Sequence, residues 1–392
     1  MIAVIADDLT GAAELGGIGL RYGLSVEVNM EVNLSTKAEL LVIAADTRSM
    51  GEEDAVKEMK RITRKLMLLQ PEWIYKKVDS VLRGHVVAEI NIQLKVSGMK
   101  RALLIPANPA LGRTIKNGVY FLNGTPVHKS SFAMDPEFAI MSSDVRDMLH
   151  ADDVPVAIHV KKHSEELADS GIIVGEAQKK DDIEVWAALA GRTDEPMLLA
   201  GASGFFRALL RARKGSEEDK KGPDELGVLP GYPVLFVSGT TFGKNQALIR
   251  GIYEAGGPVS YISADAVSAG SNAEELSFET IVNHLLDQGK AVVAIEGTAS
   301  GDPIQAARML RGWMARLVRR VLTEVDVEEL VIEGGATAYA ILVQAELRAF
   351  LPEEELAPGM VRMRAQADFP HYVTVKPGSY EWPALVRHRL EN

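Results

Sequence analysis

The sequence predicts an α/β fold in two lobes, each a mostly parallel sheet flanked by helices, and three features support this prediction. Short apolar runs rich in β-branched residues alternate with longer helical patterns along the 392 residues, as in βαβ units. Each run ends in a polar or glycine-rich turn. A charged stretch with glycine and proline interrupts the alternation near the middle of the chain. Because ligands bind at the carboxyl edge of such sheets, we expect the active site in the cleft between the lobes.

The strand candidates fall into two groups of five. Those of the first lobe are residues 2–6, 40–44, 73–78, 102–105 and 197–200. Those of the second lobe are residues 234–237, 259–262, 291–295, 330–332 and 372–375. The charged stretch between the two groups predicts domains at 1–210 and 233–392, joined by a linker over 211–232.

The composition excludes several classes of protein. With 47% apolar and 25% charged residues, the chain is typical of a globular protein. A formal net charge of -11 argues against a nucleic acid partner. The absence of cysteine excludes disulfides, thiolate metal sites and a cysteine nucleophile. No apolar run approaches the ~20 residues of a membrane span, and the first run stops at Asp7, so we expect no membrane contact and a cytoplasmic location.

The first predicted strand delivers two adjacent carboxylates, Asp7 and Asp8, onto a turn that continues Leu9-Thr10-Gly11 and then enters a helix. Carboxylates at a strand's carboxyl end are placed to serve in ligand binding or acid–base chemistry. The alternative is structural, since Asp8 or Thr10 can cap the helix by accepting hydrogen bonds from its free N–H groups. The residues of this segment support both interpretations equally.

A second charged patch, Lys76 to Gly84, lies where the third predicted strand ends. Neighbouring strand residues point to opposite faces, so Lys76 and Lys77 cannot both face one site, and we expect one of them to be a solvated surface lysine. Asp79 and Arg83 form either a structural ion pair or part of a site for a polyhydroxy acid. Arg48, in Asp46-Thr47-Arg48 after another strand, adds the same chemistry at the same edge.

A long loop region follows the fourth strand. It contains Gly112-Arg113-Thr114, Gly118, Gly124 and Asp135-Pro136. Long loops in compact domains are commonly functional. The alternative is a surface excursion with turns of its own.

The second lobe carries three glycine turns, each at the end of a predicted strand. They are Ser238-Gly239-Thr240, Glu333-Gly334-Gly335-Ala336-Thr337 and Lys376-Pro377-Gly378-Ser379. Such turns let backbone N–H groups approach phosphate oxygens, and a helix start after Thr337 would add its dipole. The segment from Gly239 to Asn245 is not a Walker A loop, because its glycines are one residue too close and Asn245 stands where Ser or Thr should bind magnesium.

These motifs together resemble the four-carbon acid sugar kinases, also called the tetronate kinase family. The resemblance spans almost the whole chain, and its motifs stand in the family's order. They are Asp7 to Ala12, Lys77 to Gly84, Gly112 to Thr114 with Gly118 and Asp135-Pro136, Ser238-Gly239, Gly334 to Ala338, and Lys376 to Gly378. The resemblance implies an amino-terminal domain that binds a sugar acid and a carboxy-terminal domain that binds ATP.

The family's activity implies ATP-dependent phosphorylation of a threonate, erythronate or 3-oxo-tetronate at its terminal hydroxyl, with Mg²⁺ on the ATP phosphates. Carried over by motif position, catalysis falls to Asp8 and Asp79, and which of them accepts the proton stays open. Substrate binding falls to Asp7, Arg48, Lys77 and Arg83. Nucleotide contacts fall to Ser238, Gly334, Gly335, Ala336, Thr337 and Gly378. No residue is assigned to a metal.

Two positions depart from the family pattern. Ala336 stands where the family often has an acidic residue, so any magnesium or ribose contact of that side chain is lost or moved. The last turn continues with Ser379-Tyr380-Glu381 where the family usually has Asn, Phe and Gly. The alternatives are a non-catalytic sensor of a sugar acid and a kinase of this family that acts on another small hydroxy acid. The partners we expect are a sugar acid and ATP, with homo-oligomerisation left open.

Overall fold

The computed structural model describes residues 1–134, 138–153, 155–193, 195–215, 232–239, 243–263, 271–296, 303–368 and 370–391. Contacts between residues divide the chain into two compact units, Met1–Glu218 and Asp219–Asn392. No helix of these described ranges combines the length and the hydropathy that a membrane crossing would need.

Unit 1 is built on a parallel sheet of eight described strands. In spatial order they are β2 (Val26–Asn29), β3 (Leu40–Ala44), β1 (Ile2–Ala6), β4 (Trp73–Lys77), β11 (Leu198–Gly201), β5 (Arg101–Ile105), β10 (Gly171–Gly175) and β9 (Ile158–Lys161). The central strands β1 and β3 are apolar and buried along their whole length, as expected where helices cover both faces.

Six helices and a small second sheet complete the described part of unit 1. The helices are α1 (Leu9–Arg21), α2 (Glu52–Met67), α3 (Val86–Ser97), α4 (Val145–Met148), α5 (Lys180–Ala190) and α6 (Ser203–Lys214). The small antiparallel sheet consists of β6 (Arg113–Lys116), β7 (Val119–Leu122) and β8 (Thr125–Pro126). It occupies the long loop region, so that region does contain turns and strands of its own.

The register of unit 1 brings three charged turns together. Ala6, the last residue of β1, pairs with Ala44 of β3 on one side and with Lys77 of β4 on the other. The residues that follow these strands therefore leave the sheet at one edge. This edge holds the charged motifs that the sequence places after strands β1, β3 and β4.

Unit 2 contains a mixed sheet of seven described strands. In spatial order they are β13 (Val259–Ile262), β14 (Lys290–Ile295), β12 (Val234–Ser238), β15 (Glu329–Glu333), β18 (Tyr372–Lys376), β17 (Met360–Ala365) and β16 (Ala349–Ala357). The first five are parallel, whereas β17 and β16 are antiparallel. The helices described here are α7 (Gly243–Glu254), α8 (Ser271–Gln288), α9 (Pro303–Glu324), α10 (Gly335–Gln344) and α11 (Ala384–Glu391).

Strands β12 and β15 flank the topological switch point of unit 2. From β12 the chain continues through α7 to β13 on one side, and from β15 it continues through α10 to β16, β17 and β18 on the other. The turns after two such strands diverge and leave a crevice at their carboxyl ends, where open α/β sheets bind ligands. Ser238 and Glu333 end these strands and are paired in register.

The predicted α/β class is confirmed, and every predicted strand coincides with an observed strand to within one residue at either end. Three details differ. Helix α6 continues to Lys214, so residues 211–214 are helical although we placed them in the linker; residues 216–231 lie outside the described residues. Helix α10 begins at Gly335, before Thr337. Lys76 and Lys77 are both buried, so the prediction that one of them is solvated is wrong.

Candidate active site

Arg48 lies at the centre of the charged edge of unit 1. It belongs to a short 3-10 turn, Thr47–Ser49, that follows β3. Its guanidinium approaches three carboxylates: Nη2 is 2.7 Å from Asp7 Oδ2, and Nη1 is 3.2 Å from Asp8 Oδ2 and 3.7 Å from Asp79 Oδ1. One cation thus draws together the acids that follow β1 and β4.

Asp8 has two roles that the sequence analysis treated as alternatives. It is the N-cap of α1, where Oδ1 accepts the Gly11 N–H at 2.8 Å. Its other oxygen accepts the Thr10 hydroxyl at 2.8 Å and contacts Arg48. Burial alone would raise the pKa of Asp8, but Arg48 and Lys77, with the two hydrogen bonds, bring it below its ordinary value. The capping interpretation is therefore confirmed, and it coexists with a place among the charged groups.

Asp79 is held more tightly than Asp8. Its Oδ1 accepts Arg83 Nη2 at 2.8 Å, and its Oδ2 accepts Arg83 Nε and the Val81 N–H, each at 3.0 Å. Burial would raise the pKa of Asp79, yet Arg83 and then Arg48 hold it well below its ordinary value. The ion pair that we considered as the structural alternative is present.

The two consecutive lysines of β4 serve different purposes. Lys77 donates from Nζ to the Val78 carbonyl at 2.9 Å and lies close enough to Asp8 to lower its pKa. Lys76 instead forms a buried ion pair with Glu89 of α3, with 2.6 Å between Nζ and Oε2. Glu89 is the acidic residue in the first turn of α3, and this partner explains how a second lysine is tolerated inside the protein.

Three residues of the long loop region join the same edge, and we gave none of them a role from the sequence. The Tyr120 hydroxyl donates to the carbonyls of Ser80 and Pro106. The Phe132 ring lies beside two guanidinium groups, those of Arg83 and Arg113. The only sequence signal was Arg113 itself, inside the Gly112-Arg113-Thr114 motif. Asp135 and Pro136, the last residues of the motif series in this lobe, lie outside the described residues.

In unit 2 the predicted nucleotide turn forms the N-terminus of α10. Gly334 is the N-cap with φ of 100°, a conformation that favours glycine, and no side chain caps the helix. Gly335, Ala336 and Thr337 form the first turn, whose N–H groups have no partner within the helix. This is the arrangement that binds anions at helix N-termini. Thr240, predicted beside it, lies outside the described residues.

A buried polar network stands beneath this turn, and its centre is Glu333. Its carboxylate accepts the Ser238 hydroxyl at 2.6 Å, lies 2.7 Å from Lys376 Nζ, and accepts the Asn245 side-chain amide. Asn245 also donates to the Gly378 carbonyl at 3.1 Å. Burial raises the pKa of Glu333 and lowers that of Lys376, although each partner opposes the other's shift.

This network links two of the predicted nucleotide-binding positions, Ser238 and Gly378, and it changes how Ser238 is understood. The Ser238 hydroxyl is used by Glu333, so the hydroxyl is not directed at a ligand. Sequence reasoning missed Glu333, Lys376 and Asn245 as a set. The signal was present, because Glu333 and Lys376 end adjacent strands just as Lys77 does in unit 1.

A cavity of about 750 Å³ opens beside Ser238. Its walls come from α7, α8 and the carboxyl ends of β13 and β14. They include Ile249, Tyr253, Ser260, Tyr261 and Ile295. The Tyr253 and Tyr261 rings contact each other edge to face, with 5.3 Å between centroids. Charged residues, among them Arg250 and Glu296, also line the cavity. This volume is typical of a small-molecule site, and the two aromatic rings suit a flat ring.

In the described part of the chain, no group of three or more histidine or acidic side chains could hold a metal ion. At the charged edge of unit 1, Asp7, Asp8 and Asp79 each contact an arginine, and Glu333 in unit 2 is paired with Lys376.

The fold and the two sites define an α/β protein with charged side chains and an uncapped helix N-terminus at the carboxyl edges of its parallel strands. A sequence profile described as the sugar-binding N-terminal domain matches residues 2–209. A D-threonate kinase of Salmonella typhimurium is 30% identical over 394 residues, covering 91% of this chain and 89% of that protein. A 3-oxo-tetronate kinase of Methylobacterium radiotolerans is 26% identical, covering 97% and 96%.

Two solved structures share the fold. A Salmonella typhimurium protein superposes with a TM-score of 0.78 at 17% identity, covering 100% of this chain and 99% of that one. A DUF1537 protein of Haemophilus influenzae superposes with a TM-score of 0.69 at 18% identity over the whole of both chains. The chain belongs to the four-carbon acid sugar kinase family, the DUF1537 family, as the sequence motifs predict.

Proposed function

We propose that this protein transfers the γ-phosphoryl group of ATP to the terminal hydroxyl of a four-carbon sugar acid. Relatives in the family are named as kinases of D-threonate, D-erythronate and 3-oxo-tetronate. Domain 1–210 would bind the acid, and domain 233–392 would bind ATP. The observation that carries the nucleotide half is the first turn of α10, which has no side-chain cap and lies beside the switch point of its sheet.

The phosphates of ATP would lie on the N–H groups of Gly335, Ala336 and Thr337. The nucleoside would then extend into the cavity beside Ser238, which is large enough for a base and a ribose. Gly378 belongs to the same site because Asn245 ties its carbonyl to Glu333, which precedes the Gly334 turn. The network thus supports the shape of both turns rather than touching the nucleotide itself.

Asp8 is the better candidate for the base that accepts the proton of the substrate hydroxyl. Both oxygens of Asp79 are engaged by Arg83, and one also accepts a backbone N–H. Among the described residues, Asp8 Oδ1 accepts one hydrogen bond, from the Gly11 N–H, whereas Oδ2 accepts two, so Oδ1 retains accepting capacity. We therefore assign the role of base to Asp8, and we infer that Asp79 orients Arg83.

The lowered pKa of Asp8 makes it a weak base, which suits this reaction. In the loose transition state of phosphoryl transfer the attacking hydroxyl keeps its proton until late. The hydroxyl oxygen forms the new bond to the γ-phosphorus, ADP leaves with the electrons of the broken P–O bond, and the proton passes to Asp8. Arg48 and Lys77, which lie beside Asp8, would then steady the charge of the reacting groups.

The two described positions nearest the proposed phosphate site, Ala336 and Glu333, do not supply a ligand for a magnesium ion. Ala336 has no ligand atom in its side chain, and the carboxylate of Glu333 is occupied by three donors. Magnesium prefers one or two free carboxylates together with phosphates and water. Mg²⁺ would accordingly enter on the ATP phosphates as part of the MgATP substrate.

The test is coupled ADP release with MgATP against D- and L-threonate, D- and L-erythronate and their 3-oxo forms. We expect ADP formation with at least one acid. Stabilisation of the protein by ATP without ADP formation would place the substrate outside this panel. Stabilisation by an acid with no response to ATP would favour a sugar-acid sensor, to which Ala336 would also be suited.

The base assignment is tested with Asp8→Asn, which keeps the helix cap because asparagine caps as well as aspartate. We expect kcat to fall roughly 100-fold or more, with the KM for ATP little changed. The matched control is Asp144→Asn, at the N-cap of α4, whose side chain accepts from the N–H groups of Arg146 and Asp147. A kcat within a few-fold of wild type for Asp8→Asn would refute the assignment and leave the kinase activity itself intact.

A further inference from the structure

We propose that Arg113 binds the carboxylate of the sugar acid and so selects acids over uncharged sugar alcohols. This inference rests on the proposed function, because it names the group that recognises one end of that substrate. The two arginines predicted for substrate binding are already paired with aspartates, and Lys77 lies beside Asp8, at the proposed reacting end.

The backbone places Arg113 at the charged edge. Arg113 begins β6, and its N–H and carbonyl both pair with Asn108, at 3.1 and 2.8 Å. Asn108 follows β5 by three residues and is buried, with its side-chain amide donating to Ser203 Oγ at 3.3 Å. The start of β6 is therefore anchored to the carboxyl end of the parallel sheet, beside the turn that carries Asp79.

The aspartates of the site are paired with Arg48 and Arg83, and not with Arg113. Arg48 is matched by Asp7 and Asp8, and Arg83 is matched by Asp79. Within the described ranges, Arg113 forms no ion pair, and its Nε is buried without any hydrogen-bond partner. A buried guanidinium nitrogen with no acceptor is unfavourable, so this atom is one that a ligand oxygen would satisfy.

Two aromatic residues fix the surroundings of this guanidinium. The Phe132 ring centroid is 5.7 Å from Arg113 Cζ and 5.1 Å from Arg83 Cζ, so one ring contacts both cations. Burial raises the pKa of Tyr120, while Arg113 lowers it and Asp79 raises it further. Both charged groups therefore lie near the phenol. Arg113 is thus close to Asp79 without being paired to it.

The chemistry of the substrate fits this unmatched cation. A carboxylate that entered an edge holding three aspartates would be repelled unless a cation beyond those already paired received it. A guanidinium is suited to this task, since its planar set of donors matches the two oxygens of a carboxylate. The hydroxyls at the other end would remain for the aspartates, with the terminal one at Asp8.

The experiment compares an acid with the alcohol that lacks its carboxylate. We would measure kcat/KM for D-threonate, or for the acid active in the panel above, and for D-threitol in wild type, Arg113→Met and Arg113→Lys. We expect Arg113→Met to lower kcat/KM for the acid roughly 10- to 150-fold, to change that for threitol less than about 3-fold, and to leave the KM for ATP unchanged. Arg113→Lys should recover part of the loss, because it restores the charge without the fork.

The matched control is Arg213→Met, since Arg213 also stacks on an aromatic ring, that of Trp73, at 5.3 Å. It is paired with Glu72 and should leave both substrates unaffected. An equal loss with acid and alcohol would show that Arg113 only supports the fold, and no loss with either would also refute the proposal. Calorimetric titration with the acid alone separates the two hypotheses. If the acid binds wild type but gives no ADP in the coupled assay, the kinase proposal is refuted. If the acid binds Arg113→Met as tightly as wild type, the role of Arg113 is refuted.

Discussion

Glu333 and Lys376 face each other across adjacent parallel strands, in register, with 2.7 Å between Oε1 and Nζ. Both side chains are fully buried. Removing one partner of such a pair leaves an uncompensated charge, so we expect Lys376→Met to lower the free energy of unfolding by about 3–5 kcal/mol. The double variant Glu333→Gln/Lys376→Met should recover at least half of that loss. Urea unfolding followed by tryptophan fluorescence tests this, since the Trp382 ring lies 4.8 Å from Lys376 Nζ; strictly additive losses would contradict it.

The stability of unit 1 should depend on pH through Asp79. Its pKa in the folded protein lies below the ordinary value of 3.8, so its charge stabilises the fold above that value, and the contribution is lost as pH falls through the folded pKa. Near neutral pH, the free energy of unfolding of Asp79→Asn should therefore be about 1.5–3 kcal/mol lower than that of wild type. Below about pH 4, a further fall in pH should lower the stability of the variant less than that of wild type. Thermal unfolding at a series of pH values measures both effects. The control is Asp54→Asn on the exposed face of α2, and parallel curves for wild type and Asp79→Asn would contradict the prediction.

The close approach of Gly239 to α10 is open to a simple test. A Cβ at this position would lie 2.6 Å from Thr337 Cβ, too close for either residue to remain in place. Gly239→Ala should therefore displace the first turn of α10, lower the melting temperature and raise the KM for ATP. Gly251→Ala in α7 is the matched control, since its Cβ would meet nothing and should stabilise the helix by about 0.5–1 kcal/mol. An unchanged KM for ATP in Gly239→Ala would count against α10 as the phosphate site.

A substitution at position 336 should affect helix stability and nucleotide binding in opposite directions. An aspartate in the first turn of α10 favours the helix dipole by about 0.3–1 kcal/mol, but it repels phosphate oxygens at the same place. We expect Ala336→Asp to raise the melting temperature while raising the KM for ATP, most strongly at low free Mg²⁺. Ala340→Asp, one turn further along the helix, should do neither. Tighter ATP binding by Ala336→Asp at every Mg²⁺ concentration would mean that a carboxylate there serves as a magnesium ligand after all.

Much of the parallel sheet could be predicted because its buried strands contain apolar runs that end abruptly. Residues 2–6, 40–44 and 259–262 were predicted with the bounds that the structure has. Strand β16 was missed because three consecutive glutamates, Glu353 to Glu355, break its apolar pattern. Short edge strands such as β9 also lack an apolar run, because polar residues alternate with apolar ones along them.

The charged edge of unit 1 was predictable for a topological reason, since charged residues after parallel strands gather at one edge. The side chains that contact those charged residues could not be predicted from the sequence. That Lys76 is buried depends on Glu89, which comes from a helix whose sequence carries no sign of the contact. The place of Phe132 beside Arg83 and Arg113 depends on how a long connection folds back, which no local pattern determines.

Two lysines, Lys77 and Lys376, each end a parallel strand and donate from Nζ to the carbonyl of the very next residue, both at 2.9 Å. Each strand therefore secures the turn that follows it with its own last side chain. A turn held in this way does not have to become ordered when a ligand arrives, and ordering is a major cost of binding at flexible loops. Both turns should consequently keep one backbone conformation with and without ligand, so that affinity here depends on contacts and charge rather than on the entropy of closing a loop.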